Sequence, residues 1–221
     1  MTAVAADESG RLRFSGVRAP PPVLSKEDER ALSARQLDLL EELETQLLRG
    51  GVAELTMAGL AERVNCSLRT LYGIASSKDE LLLAVVDRRL RRIGRAAVGK
   101  LDATMSPVDA LRVYLGAANE AVQPEAVTMS EDFARVAGAL RLFADHEAYI
   151  VAVARSLLDR AVAEKQITPV DTAAVAHVLG SLGREFARAE VAEIARESPK
   201  RTADVITELV LQGLLAGRGE A

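Results

Sequence analysis

The chain has 221 residues, 49% apolar and 27% charged, a globular composition that excludes wholesale disorder. Its one cysteine, Cys66, excludes an internal disulfide and a thiolate metal cluster, and two histidines, His146 and His177, leave little for a histidine-based centre. The net charge of −4 is uneven: residues 1–32 balance five basic against five acidic side chains, residues 33–101 hold eleven against nine (net +2), and residues 102–221 hold twelve against eighteen (net −6). A mildly positive block ahead of an acidic body suits a module that meets a polyanion.

No apolar run reaches the roughly 18 residues of a membrane span. The N-terminus has no basic start leading into an apolar stretch. A soluble, cytoplasmic protein without a membrane partner is therefore expected. Residues 1–32, with Pro20-Pro21-Pro22 and no sustained apolar period, read as a flexible arm. Its Arg11, Arg13 and Arg18 are within reach of DNA only if the arm is more than a plain tail.

From Ser25 onward the chain reads as helix after helix, and no stretch alternates like a strand, so the fold class is all-α. Helices are expected near 33–49, 56–63, 68–75, 78–101, 107–121, 125–143, 146–166, 169–196 and 199–216. Ser33 with Gln36 and Ser77 with Glu80 fit the capping box. Ser106-Pro107, Thr168-Pro169 and Ser198-Pro199 each place a cap before a proline at the first helical position, and Asp145 is a further candidate cap. Gly50-Gly51 and Gly217 are stop signals.

Residues 56–75 carry the functional signal. Two helices this short must pack on each other and on a neighbour. Leu60, Ala61 and Val64 make one apolar face, Leu71 and Ile74 another, with Asn65-Cys66-Ser67 as a tight turn between them. Asn tolerates the left-handed backbone of such a turn, and Ser67 caps the second helix. This is a helix-turn-helix pattern. The second helix then exposes Leu68, Arg69, Tyr72 and Gly73, with Thr70 at the edge. Arg69 and Thr70 are suited to base edges, Tyr72 and Thr56 to phosphates, and Gly73 to close backbone approach. Lys78 adds charge at a helix N-terminus. The competing reading is a three-helix packing corner with a solvated polar face.

The run Leu55–Leu82 resembles the DNA-binding signature of the tetracycline-repressor (TetR) family at Thr56, Leu60, Ala61, Ser67, Thr70, Leu71, Tyr72, Ser77, Lys78, Leu81 and Leu82. It departs at Asn65, where the family usually has Gly, at Cys66, where it has Val, and at Ala75, where it has Phe. The resemblance implies a helix-turn-helix head at 33–77 on a ligand-binding and dimerisation body at 78–221. It implies a ligand-responsive homodimeric transcriptional regulator, usually a repressor, on a near-palindromic double-stranded operator, released by a small-molecule effector. The alternative is a helical dimer whose head has lost DNA binding and serves protein contacts.

In the body, Tyr114, Met129, Phe133, Phe143, His146 and Tyr149 are candidate ligand-pocket residues, against the plainer reading that each is ordinary core. Arg112 and Arg141 suit an anionic ligand but equally suit surface pairing. The last two long helices are strongly apolar, and by family resemblance Leu179, Leu182, Phe186, Ile206, Leu209 and Val210 face a second subunit. His146 beside Asp145 and Glu147 is not a metal cluster, because helix neighbours point apart. Cys66 reads as packing. Arg88, Arg89, Arg91, Arg92 and Arg95 read as a solvated run whose first members are within reach of a DNA backbone. No nucleophile elbow, phosphate loop or paired-acid site is present in the sequence, so no enzyme activity and no cofactor are expected.

Overall fold

Capping chemistry sets where the helices begin. The computed structural model describes residues 4–6, 12–50, 54–122 and 133–217. Ser25 caps α1 (Lys26–Ala31), and Ser33 with Gln36 forms a complete capping box on α2 (Ala34–Arg49). Gly50, at φ 82°, ends α2 in a backbone conformation that a side chain would strain. Thr56, Ser67 and Ser77 cap α3 (Met57–Arg63), α4 (Leu68–Tyr72) and α5 (Lys78–Gly99). Ser106 and Ser198, each followed by proline, start α6 (Pro107–Ala118) and the last helix, α10 (Pro199–Ala216). Between these lie a 3-10 turn at Asn119–Val122, then α7 (Ala139–Ala163), α8 (Thr172–Phe186) and the short α9 (Ala189–Ala192).

Four expectations are corrected. Asp145 caps nothing: α7 runs through it unbroken, and Asp145 lies within 3.8 Å of Arg141 one turn back. Burial of Leu142, His146, Val153 and Leu157 along one face holds this helix together where a lone cap signal would end it. Thr168 does not cap α8; Asp171 does, taking the backbone N–H groups of Ala173 and Ala174. Ser77 caps α5, but Glu80 reaches past it to the N–H and hydroxyl of Ser76, at 2.8 and 2.5 Å. The helix expected over 169–196 closes at Phe186. The start of the helix expected over 125–143 lies outside the described residues.

The arm also departs from the flexible reading. Its strands β1 (Val4–Ala6) and β2 (Leu12–Phe14) pair antiparallel, with Val4 opposite Phe14. Leu12 is buried in the body core and Leu24 in the head core.

Two apolar clusters organise the molecule. One joins α2, α3, α4 and the first half of α5 to Phe133, Val136 and Leu142. The other joins α6, α7, α8 and α10 around Tyr114, Leu111, Leu157 and Leu211. Helix α5 passes from the first cluster to the second, with Leu81, Leu82 and Val85 in one and Ala97 in the other.

Candidate nucleic-acid interface

The head is built outward from its turn. Asn65 takes a left-handed φ of 46°. The Asn65 N–H donates to the Glu62 carbonyl at 3.1 Å and the Cys66 N–H to the Ala61 carbonyl at 2.9 Å. That pair of bonds is a Schellman closure, which satisfies the last carbonyls of α3 and turns the chain sharply into α4. The Ser67 hydroxyl then accepts the Thr70 N–H at 3.0 Å and lies 2.7 Å from the Thr70 hydroxyl. Leu60, Val64 and Leu71 are completely buried, with Ala61, Ile74 and Ala75 nearly so. Cys66 packs half-buried against this cluster, and burial pushes its thiol pKa up, which disfavours the reactive thiolate.

With Leu71 and Ile74 turned inward, α4 shows its other face to solvent. Leu68 is 40% exposed and Tyr72 52% exposed, large values for side chains of this size. Arg69 and Ser67 are exposed beside them, Thr70 is half-buried, and Thr56 is exposed at the start of α3. Arg69 has no ion pair among the described residues, so its guanidinium is not consumed by the fold. Lys78 is half-buried at the first turn of α5. Gly73 has a structural reason of its own: a β-carbon there would sit 3.0 Å from Nε2 of Gln36, on the capping box of α2. Six of the eight expected interface residues thus lie on α4 and its two caps, with Thr56 capping α3 and Lys78 opening α5.

The arginine run on α5 is not a solvated stripe. Arg89 and Arg92 both bond Glu44 of α2, at 3.0 and 2.6 Å, and Glu44 is buried. Arg88 pairs with Glu29 of α1, and Arg91 donates to the Pro20 carbonyl at 2.6 Å. These arginines fasten the head and the N-terminal segment to α5. Sequence spacing along one helix could not show it, because Glu29, Glu44 and Pro20 are 45 or more residues away, and among the described residues only the Arg91–Asp87 pair at 3.9 Å is local to α5.

In the body, a cavity of about 870 Å³ opens between α7 and α8, with Leu90 of α5, the 3-10 turn and the N-terminal segment completing its wall. Phe143 and His146 line it. Tyr114 and Phe133 do not: both are fully buried in the apolar clusters, and burial drives the Tyr114 phenol pKa far up. Tyr149 packs half-buried against the body core, away from the cavity wall, and Met129 lies outside the described residues. Arg112 is taken by Glu208 of α10, and Arg141 points to solvent. The wall residues that sequence reasoning missed, such as Val17, Ile150, Val151 and His177, are small or ordinary apolar residues and a solvent-side histidine with no local signature.

One feature of the body had no sequence signal. His146 Nε2 lies 2.9 Å from Asp87 Oδ1 in a buried contact between α7 and α5, while Asp87 Oδ2 accepts the Val23 N–H at 3.1 Å. The exposed apolar side chains of α8 and α10 are Val178, Val205, Leu209 and Leu215, with Leu209 63% exposed. Of the expected interface residues, Leu182, Phe186, Ile206 and Val210 are half-buried beside this stripe, whereas Leu179 is turned inward and packs in its own core.

A three-helix head with an outward second helix, carried by a helical body, defines a helix-turn-helix protein of the TetR-regulator architecture. Solved structures agree across most of the chain. A TetR transcription regulator from Haloarcula marismortui matches at TM-score 0.68 and 20% identity, covering 83% of this chain and 100% of its own. The TetR family transcriptional regulator PfmR from Thermus thermophilus matches at TM-score 0.58 and 22% identity, covering 80% and 98%. A TetR family regulator from Agrobacterium tumefaciens matches at TM-score 0.63 and 17% identity, covering 82% and 98%. No family model and no curated relative matches the sequence. The chain therefore has the TetR-regulator fold. Among the described residues no helix is long and apolar enough to cross a membrane.

Proposed function

We propose that this protein is a homodimeric, ligand-responsive transcriptional regulator of the TetR type, acting as a repressor in the cytoplasm, with residues 33–77 as its DNA-binding head. The observation that carries the reading is the two-faced α4: Leu71 is fully buried while Leu68, Arg69 and Tyr72 stand in solvent. That face offers a partner apolar contact from Leu68 and a hydroxyl from Tyr72 on either side of the Arg69 guanidinium. Arg69 offers a guanidinium to a base edge, and Thr56, Tyr72 and Lys78 supply phosphate contacts.

The second half of the reading concerns α8 and α10. Val178, Val205 and Leu209 form an unpartnered apolar stripe on the two helices that close the body. A second copy packing there presents two α4 helices about 34–36 Å apart, one turn of B-DNA, on a near-palindromic operator. The cavity beside α8 gives a small-molecule effector a place to bind against the same helix, so that occupancy biases the head spacing by about 1–3 kcal/mol of differential affinity. Selection of binding sites from a random duplex library, followed by mobility shift, tests the reading. A two-fold symmetric consensus is expected, and the absence of any enriched duplex would leave the head as a protein-docking module instead.

A further inference from the structure

The N-terminal segment does not trail from the fold; it is laced along it. Leu12 is buried in the body core and Leu24 in the head core, so the dozen residues between them are held at both ends. Midway, Gly16 and Val17 form part of the cavity wall. Beyond them the strand of chain is latched to α5 twice, by Arg91 donating to the Pro20 carbonyl at 2.6 Å and by Asp87 accepting the Val23 N–H at 3.1 Å. Asp87 is itself buried, and its other carboxylate oxygen faces His146, also a cavity-wall residue, at 2.9 Å. One carboxylate therefore serves the segment with one oxygen and the cavity with the other.

We propose that residues 12–24 are a strap that covers the cavity between α7 and α8 and must lift to admit a mainly apolar molecule whose hydrogen-bond-donating head engages His146. The mainly apolar character follows from Leu90, Phe143, Ile150 and Val151 with small alanines and glycines between them, although Glu147, Arg155, Arg184 and Arg188 also stand in the wall. The head is placed by His146, the buried ionisable side chain of that wall. A carboxylate accepts, so Nε2 carries the hydrogen toward Asp87, and Nδ1 is the ring nitrogen left for a ligand. The two ends of the site are coupled through Asp87. A ligand that displaces the imidazole removes the contact that fixes the Asp87 carboxylate in place and leaves it free to turn away from the Val23 N–H, so entry and strap release go together. A strap held by two hydrogen bonds and a few apolar side chains sits at the low end of local stability, where opening does not require unfolding of the body.

This inference rests on the cavity being a ligand site but needs no DNA, so its failure is separable from failure of the regulator reading. Arg18 is exposed between the cavity wall and the Pro20 latch, which makes it a reporter of strap position. Trypsin cleavage after Arg18 is followed by mass spectrometry on the full chain, with N-phenyl-1-naphthylamine as an apolar probe with a single N–H donor for the Nδ1 acceptor. The wild type is expected to resist cleavage, and saturating probe to speed it about fivefold or more by shifting the strap to its open state. Arg91→Ala should raise cleavage without probe by a similar factor and tighten probe binding about threefold, because the cost of opening is already removed. His146→Gln should weaken probe binding, with circular dichroism confirming an intact fold. The proposal is overturned by rapid cleavage of the unliganded wild type, by a probe that does not bind or binds without changing cleavage, or by probe affinity unchanged in either variant.

Discussion

At the scale of single residues, the head depends on a few side chains whose roles are set by backbone geometry. Asn65 is the clearest. Its φ of 46° is tolerable for Asn and natural for Gly, but strained for a β-branched residue. Asn65→Gly should leave thermal stability within about 0.5 kcal/mol of wild type, whereas Asn65→Val should cost about 1–2 kcal/mol in denaturant unfolding. Arg69 is exposed and free of ion pairs among the described residues, so its removal should not disturb folding. Arg69→Ala is expected to keep the wild-type melting curve, to lose about 1–3 kcal/mol on the selected operator, and to relax preference at one position per half-site. Identical consensus sequences from the two proteins would assign Arg69 to a phosphate instead. Arg69 is the α4 side chain with the paired donors for a bidentate guanine contact, which is why it carries the prediction ahead of Leu68 or Thr70.

At the scale of elements, the junction between head and body is a buried charge network. Glu44 of α2 meets Arg89 and Arg92 of α5, and Arg89 Nε is left without a partner in the buried interface. Removing the carboxylate strands a largely buried guanidinium, whereas an exposed pair would cost little. Glu44→Ala is therefore expected to destabilise the chain by about 3 kcal/mol in chemical denaturation, measured against Glu29→Ala, whose exposed pairing with Arg88 should cost less than about 1 kcal/mol. Equal losses would show that the α2–α5 contact is carried by its leucines alone. The same junction explains how the head tolerates Ala75, where TetR-type heads usually carry a phenylalanine. Ala75 shares its cluster with Phe133, which sits edge-on to Phe143 at a centroid distance of 5.4 Å.

At the scale of the whole molecule, the apolar stripe on α8 and α10 is the surface that the monomer leaves unexplained. Leu209 and Val205 stand one helical turn apart on α10 with Val178 on α8, and all three are exposed. Leu209→Glu and Val205→Glu should each convert a dimer into monomers in sedimentation equilibrium without changing the circular dichroism of the chain. A dimer that survives both substitutions would move the interface elsewhere. Leu179→Glu is a contrasting control: it buries a charge in the body core and should unfold the protein rather than dissociate it.

Much of this molecule was written locally in its sequence. Hydroxyl caps, prolines at first helical positions and the Asn65 turn fixed most helix starts, because a cap satisfies backbone groups within three residues of itself. The outward face of α4 was legible for the same reason, since five residues of a helix leave little choice once Leu71 is inward. What distance in sequence concealed was decided by packing. The α5 arginines look alike in one dimension, yet Arg88, Arg89, Arg91 and Arg92 are claimed by partners from elsewhere in the chain while Arg95 stands exposed. Asp145 had the chemistry of a cap and lost to a buried helix face that continues on either side of it. Residues 1–32 had the composition of a tail, but Leu12 and Leu24 find apolar seats on two different cores. The cavity is lined by residues with no signature at all, because a cavity is a property of the space between helices rather than of any one of them. Local hydrogen bonding determined the elements, and the burial of surfaces far apart in sequence determined the site.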